Sequence, residues 1–483
     1  MQWWMIRRQI HVSWLVAVWS LAIVVGVVLS QWSSGWHTMA WCLAACVMSG
    51  VVLWRRSLYL IPLLLLGGCL LGLVRGSINQ QQLTMYRSLY HHTMTVTGTV
   101  GDDVDVDTKG NLVLRLHAPH SQGRGLAGKL WVSTRTKYDI KRGDYVTATG
   151  LLKGGFGTFA GAMYRATIVS VERPEPGDVA RRIRDWFADA VRQAIPDPQA
   201  ALGVGYLVGQ RRALPVELGE ALKIVGLTHV VVASGYNLTI LVRLARRLFV
   251  RTSKYLATLS ASAMITAFVA ITGASPSMTR AGFVAGISLA AWYYGRTFHP
   301  LVLLPFAAMV TVMIDPQFAW NDLGWQLSFA SFAGVMVLAP LLQAYFYGTK
   351  QPSVMRQVIG ETASAFIMTA PILMVTFGQI SNVAILANML VLPLIPLAML
   401  LTFIAGIGTL VVPVLAPVVG LPASWLLGYM VWVAEYISKL PWAITDVQLA
   451  PWIAVVLYGV IVGLMVWIWR TTRYNMLQIN IVE

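Results

Sequence analysis

The chain has 483 residues, 57% of them hydrophobic and only 12% charged, which excludes an ordinary soluble globule and points to a polytopic membrane protein. Its net charge of +16 is large for so little charged surface: cytoplasmic loops collect part of it, and the excess suits a polyanionic partner. Cys42, Cys46 and Cys69 all lie in apolar runs, so there is no disulfide framework and no Cys/His spacing for zinc.

Three hydrophobic runs come first, Val12–Ser30, Trp36–Trp54 and Ser57–Val74. MQWWMIRRQI leads into the first without a small-residue cleavage site, so that span is expected to be retained. Arg7 and Arg8 precede it, Arg55 and Arg56 separate the second and third, and the intervening SQWSSGW carries no charge. The positive-inside rule then places the N-terminus in the cytoplasm, with Arg75 a small vote against. Residues 1–75 are read as three transmembrane helices.

Residues 76–175 change character. TVTGTV, NLVLRLHA, KLWVSTRT, DYVTATG and YRATIVSV alternate apolar and polar positions between Gly, Asp and Asn turns. That pattern predicts a small extracytoplasmic β domain of about five strands. With the Gly-rich crossing KGGFGTFAG it fits an oligonucleotide-binding (OB-like) barrel. Lys129, Arg135, Lys137, Lys141, Arg142, Lys153 and Arg165 are interleaved with Trp131, Tyr138, Tyr145, Phe156, Phe159 and Tyr164. Single-strand binders use cations for phosphate and rings for bases in this way. The other reading is that the rings fill the barrel and the cations are solvated. Asp102, Asp103, Asp105 and Asp107 form an acidic loop that would repel a phosphate backbone, and His117 and His120 read as turn or surface.

Residues 176–227 connect this domain to the next. In DVARRIRDWFADAVRQAI, Val179, Ile183, Trp186, Phe187, Ala190, Val191 and Ala194 share one helical stripe, which predicts an interfacial helix on the outer leaflet or else a docking helix. Ala200–Val208 and Val216–Val225 are too short to span, and the basic turn QRRALP between them suggests a re-entrant pair.

From 228 to 483, apolar runs alternate with basic ends: the first inward run closes on Arg243, Arg246, Arg247, Arg251 and Lys254, and later ones on Arg296, on Lys350 and Arg356, and on Arg470 and Arg473. The total is roughly twelve spans with both termini cytoplasmic. Polar residues then collect at one depth. His229, Ser234 and Asn237, around Gly235, lie in the outer half of an inward-running helix; Arg280 opens the next, Gln326 and Ser328 the third, Asn382 and Asn388 the fourth. Polar groups at matched depth suggest a pore mouth or substrate cavity. The plainer reading is that they bond neighbouring backbone or close helix contacts.

Four stretches carry a family resemblance. GLTHVVVASGYNLTILVRLARRLF (Gly226–Phe249) resembles the H-x-x-x-x-S-G-φ-H/N signature of the ComEC competence-channel family. TGASPSMTRAGFVAG (Thr272–Gly286) resembles its G-A-x-x-S-x-x-R-A block, and GWQLSFASFAG (Gly324–Gly334) its F-Q-L-S-F block, with Trp325 for the first Phe. FGQISNVAILANMLVLPLIP (Phe377–Pro396) resembles the F-G-x-x-S…N-x-x-x-x-P block. The resemblance implies a channel admitting single-stranded DNA through the cytoplasmic (inner) membrane during natural transformation. It implies an extracytoplasmic DNA-receptor protein and a cytoplasmic helicase-like motor as partners, with membrane lipids around the channel.

Longer members of that family continue into a metallo-β-lactamase-like domain, and no such His/Asp cluster occurs here, so a separate nuclease is expected. Asn237 stands where the signature also has His, which argues against acid–base work there. No catalytic residue, metal or cofactor is expected, and the absence of G-x-x-x-x-G-K-[ST] leaves the driving energy to another protein. Two rivals are a secondary transporter of a small or anionic solute and an intramembrane hydrolase built on Ser234 and His229.

Overall fold

The computed structural model describes residues 10–32, 35–36, 39–107, 110–121, 123–210, 214–231, 234–273, 275–295, 299–348 and 352–474. Arg7, Arg8, Arg211, Arg212, Arg296 and Lys350, which enter the topology expectation, lie outside the described residues. The chain divides into two compact units, Met1–Val179 with Leu301–Gln326, and Ala180–Pro300 with Leu327–Glu483.

In the first unit, α1 (Val12–Leu29), α2 (Met39–Arg55) and α3 (Ile61–Thr84) occupy the three apolar runs. A Cβ on Gly72 would overlap the Ile23 carbonyl oxygen, and one on Gly26 would overlap that of Cys69. Glycine at these points lets α1 and α3 approach backbone to backbone, the contact that substitutes for a hydrophobic driving force between helices in lipid.

Seven strands follow: β1 (Thr93–Val100), β2 (Asp105–Val106), β3 (Leu112–Ser121), β4 (Arg124–Gly125), β5 (Lys129–Thr134), β6 (Tyr145–Gly154) and β7 (Phe159–Glu172). The order β1-β6-β7-β5-β3 closes on itself because β1 also pairs with β3, with Thr99 opposite His117. The five long strands are therefore a barrel, as the alternation predicts, and β2 and β4 are two-residue additions to β3. β5 and β7 form its parallel pair. Val96, Leu114, Leu116, Leu130, Val132, Val146 and Leu152 fill the interior, the inward half of the period-two pattern.

The connecting and helical part runs through α4 (Val179–Ala194), α5 (Gln199–Val208), α6 (Val216–Ile224), α7 (Thr228–Val231), α8 (Gly235–Phe249), α9 (Lys254–Ile271) and α10 (Pro276–Tyr293). It continues with α11 (Pro300–Ile314), α12 (Phe318–Asn321), α13 (Leu323–Ala333), α14 (Ala339–Tyr347) and α15 (Val354–Phe377). The last helices are α16 (Ala384–Val391), α17 (Ile395–Val411), α18 (Ala416–Ser438) and α19 (Pro451–Thr472), with β8 (Gln379–Ser381) and β9 (Ile444–Asp446) pairing antiparallel. Within the first unit, Arg75 of α3 donates to the Met313 and Ile314 carbonyls at 2.8 and 2.7 Å. Its charge is thus committed to the last carbonyls of α11, which explains a cation where the topology expected none.

The core of the second unit is built around α5. Ala200 to Val208 are all buried, packed among α4, α6, α16, α17 and α18. A Cβ on Gly203 would lie 2.8 Å from Thr402 Oγ1, so α5 and α17 meet closely. α4 departs from the simple interfacial expectation. Ile183 and Trp186 are exposed, but the Phe187 ring packs 6.0 Å from Phe403, and Arg181 and Arg184 are buried with bonds to Asp185. One edge of the apolar stripe faces outward while the rest docks on the bundle.

Among the described residues, eight helical segments are long and apolar enough to cross a membrane, which makes this a multi-pass membrane protein carrying a β-barrel. Helices also stand at the other expected span positions. α2 and Leu301–Ile314 are apolar but shorter, and α8 and α10 fall in neither group because polar residues interrupt them.

Candidate functional site

Three of the four signature stretches meet in the second unit. α5 ends at Gly209 (φ +71°), and its last turn leaves carbonyls inside the protein. Asn237, fully buried in the first turn of α8, donates from Nδ2 to the Tyr206 carbonyl at 3.1 Å. Ser234 caps α8, its Oγ accepting from the Asn237 amide at 3.3 Å. Gly235 brings α8 against α10, since a Cβ there would stand 3.2 Å from the Ala281 side chain. Arg280, the preceding residue on α10, is 4% exposed. Gly226, in the left-handed region at φ +73°, lies against α16, where an added Cβ would be 2.9 Å from the Ala384 methyl. His229 is exposed on α7, its Nδ1 2.9 Å from the Gly226 carbonyl.

The fourth stretch supplies two asparagines with different surroundings. Asn388 is buried on α16, and its Oδ1 has no hydrogen-bond partner among the described residues. Asn382 is exposed and works as a clamp, donating to the Trp442 carbonyl at 2.8 Å and to Thr445 Oγ1 at 2.7 Å. It ties the β8–β9 ladder, an association that nothing in the local sequence announces. The third stretch is not gathered with the rest. The unit boundary passes through α13, leaving Gln326 in the first unit, donating to the Ala319 and Trp320 carbonyls, and half-buried Ser328 in the second.

On the barrel, some of the expected basic and aromatic residues share a face and others do not. Trp131 lies 5.6 Å from Phe156 and 5.2 Å from Tyr164, Phe156 lies 5.6 Å from Phe159, and Lys153 Nζ sits 5.5 Å over the Tyr164 ring. Phe156 and Tyr164 are exposed, so these rings are outside the barrel core. Lys129 is half-buried on β5, two residues from Trp131. Arg135, Lys137 and Tyr138 are exposed between β5 and β6, where Lys141 pairs with Asp139 at 3.0 Å. Arg165 is exposed with φ +54°. Arg142 is 4% exposed and bonds Asp178, so its guanidinium is taken up by packing.

The acidic loop is less repulsive than its composition suggests. Arg115 bonds Asp105 at 2.6 Å and lies 3.8 Å from Asp102, and His117 Nε2 is 3.8 Å from the same carboxylate. Burial pushes the Asp102 carboxyl up, but the neighbouring His117, Arg115 and Lys129 outweigh it and hold it below its ordinary value.

Sequence reasoning passed over the outward face of α8. Tyr236, Thr239, Arg243 and Arg247 are all exposed and fall within about 80° of arc at 3.6 residues per turn. The 3–4 spacing was available to find it, masked by treating the segment as a simple span.

Compared with known proteins, residues 206–472, more than half of the chain, match the family described as "Competence protein". A stretch of 227 residues is 22% identical to ComE operon protein 3 of Bacillus subtilis (strain 168), covering 47% of this chain and 28% of that protein. The chain thus matches well under half the length of this curated relative. No solved structure matches.

Proposed function

The chain belongs to the competence protein family, and from that premise we propose that its helical unit passes single-stranded DNA through the cytoplasmic membrane during natural transformation. The observation that carries this reading is the convergence of the Gly226–Asn237, Arg280 and Ala384–Asn388 stretches where α5 stops inside the protein. Membrane proteins tolerate a broken helix at depth where its free backbone meets protein or lines an aqueous path. Asn237 meets one such carbonyl, so the interruption is built in.

In this reading His229, Ser234 and Gly235 form the mouth, with Asn382 and Ser328 on other segments of the same unit, while Gln326 holds the Ala319 and Trp320 carbonyls within the first unit. Asn237, Arg280 and Asn388 are too buried to touch a strand and hold the wall from behind. The barrel, OB-like and extracytoplasmic, guides the strand with Trp131, Phe156, Tyr164 and Lys153, rings for bases and an ammonium for phosphate. Lys129, Arg135, Lys137, Tyr138 and Arg165 add contacts, while Lys141 and Arg142 serve their carboxylates. A receptor protein delivers the DNA outside, a separate nuclease removes the other strand, and a cytoplasmic motor pulls. The termini lie in the cytoplasm.

The test is a clean deletion, scored for nuclease-protected DNA inside the cell and for DNA held at the surface. Internal DNA is expected to vanish while surface DNA stays near wild type. Normal internal DNA refutes the reading, and loss of a small solute in its place supports the transporter.

A further inference from the structure

α8 stands where a span is expected but is short and amphipathic. At 15 residues it is about 22 Å long, shorter than the roughly 30 Å hydrocarbon layer, and it is not apolar enough to count as a span. One side packs: Leu238 and Ala245 are buried, and Leu241 and Val242 lean on the same cluster with α9 and α10. The other side carries Tyr236, Thr239, Arg243 and Arg247, and Arg251 follows just beyond the helix, all exposed. From Tyr236 to Arg247 this face extends about 16 Å along the axis.

Three further observations say what the face is for. First, the chain contains no Asp or Glu between Glu220 and Asp315, so no nearby carboxylate in sequence balances these cations. Second, the neighbouring cations are already occupied: Arg246 and Lys254 lie 4.9 and 5.5 Å from the same Trp292 ring, and Lys254 also reaches Tyr293. Such stacking fixes them as part of the frame. Arg243 and Arg247 have no such partner among the described residues, and no ion pair. Third, Tyr236 is exposed two residues after Ser234, the cap of α8, so the face begins at the candidate mouth.

We propose that this face of α8 is a phosphate track, binding the sugar–phosphate backbone of a single polynucleotide strand as it leaves the mouth; the proposal rests on the DNA-passage reading above. Arg243 and Arg247 stand about 6 Å apart along the axis, Arg251 follows four residues later just past the helix, and all three present forked donors that match phosphate oxygens. Thr239 and Tyr236 continue the polar strip toward Ser234. Anionic lipid headgroups are the competing occupant. They would account for cations at the helix end, but Arg243 stands almost two turns inside it, and the strip continues to the other end. A headgroup ring has no use for that length.

The experiment compares wild type, Arg243→Gln/Arg247→Gln and Arg243→Lys/Arg247→Lys in the full chain. Purified protein is titrated with a labelled single-stranded oligothymidylate at several salt concentrations, and separately in nanodiscs with and without phosphatidylglycerol. Internalised DNA is measured in cells, normalised to membrane abundance. Each single-strand phosphate contact contributes about 0.7 to the slope of log affinity against log salt, so the Gln pair is expected to flatten the slope by about 1.4. It should also lower internalised DNA at least tenfold, with Lys/Lys restoring the slope and only part of the uptake. An unchanged slope with unchanged uptake overturns the track. A lost preference for phosphatidylglycerol with unchanged oligonucleotide binding assigns the cations to lipid and also overturns it. If the Gln pair fails to accumulate, Thr239→Cys decides: a water-soluble maleimide should label it above the wild-type background, and an unlabelled position refutes an aqueous face. Wild type that takes up no DNA refutes the DNA-passage reading itself, whereas wild-type uptake unaffected by the Gln pair refutes only the track.

Discussion

The barrel and the helical unit solve opposite solvent problems with the same residue types. In the barrel, Leu114, Leu116 and Leu130 are fully buried, while Arg135, Lys137 and Arg165 stand in the open. In the helical unit the pattern is inverted. Trp425, Val455 and Trp452 are 77%, 71% and 67% exposed, while Asn237 and Ser364 are 0% exposed and Arg280 only 4%. Exposed apolar residues on that scale are stable only against hydrocarbon, and buried polar groups persist there because lipid offers them no hydrogen bonds. Polar residues facing outward from such a unit therefore need a cause, and α8 carries Tyr236, Thr239, Arg243 and Arg247 on one exposed face.

That inversion can be broken most severely by placing a charge on each outer surface. Val460→Arg, on the exposed face of α19, should cost about 2.5–3.5 kcal/mol near a span centre, whereas Val169→Arg, similarly exposed on β7, should change stability by no more than about 0.5 kcal/mol. Membrane-integrated protein per cell reads both, and equal losses would mean the two surfaces share one solvent.

A smaller effect is expected at a buried polar group. Asn237→Leu removes the donor to the Tyr206 carbonyl and leaves the last turn of α5 short of a partner, at a cost of about 1–3 kcal/mol. Hydrogen exchange in residues 199–209 should rise while that of the barrel stays constant. Unchanged protection would show that the carbonyl has found other company.

The smallest effect belongs to the barrel and to pH. Because the Asp102 carboxyl is held below its ordinary value in the folded state, it adds stability above the unfolded value of about 3.9 and loses it as pH falls through the lower folded value. Asp102→Asn should therefore weaken protection of β3 at pH 7, and the gap from wild type should close in acid. A gap that widens in acid would reverse the sign.

The barrel was legible because burial alternates with period two, and Val96, Leu114 and Val132 announce their side of the sheet residue by residue. Helix positions in the second unit were legible from hydropathy, and the family from its four motifs. The site's working contacts were not. Asn237 bonds the carbonyl of Tyr206 and Asn382 that of Trp442, and a backbone oxygen brought from a distant segment has no sequence signature. Arg142 read as a surface cation because its partner, Asp178, lies beyond the strands that enclose it. The grouping of Tyr236, Thr239, Arg243 and Arg247 needed only helical geometry, but a basic end on an apolar run is the ordinary mark of topology and hid it.

The central claim, that a DNA strand passes through the helical unit along α8, is tested most directly by photocrosslinking during uptake. A photoreactive residue at position 239 on α8 and another at position 455 on α19 sample two outward faces of the same unit. Cells taking up labelled DNA should yield a protein–DNA adduct from position 239 and none from position 455. Adducts from both positions equally, or from neither while uptake proceeds, would contradict the account.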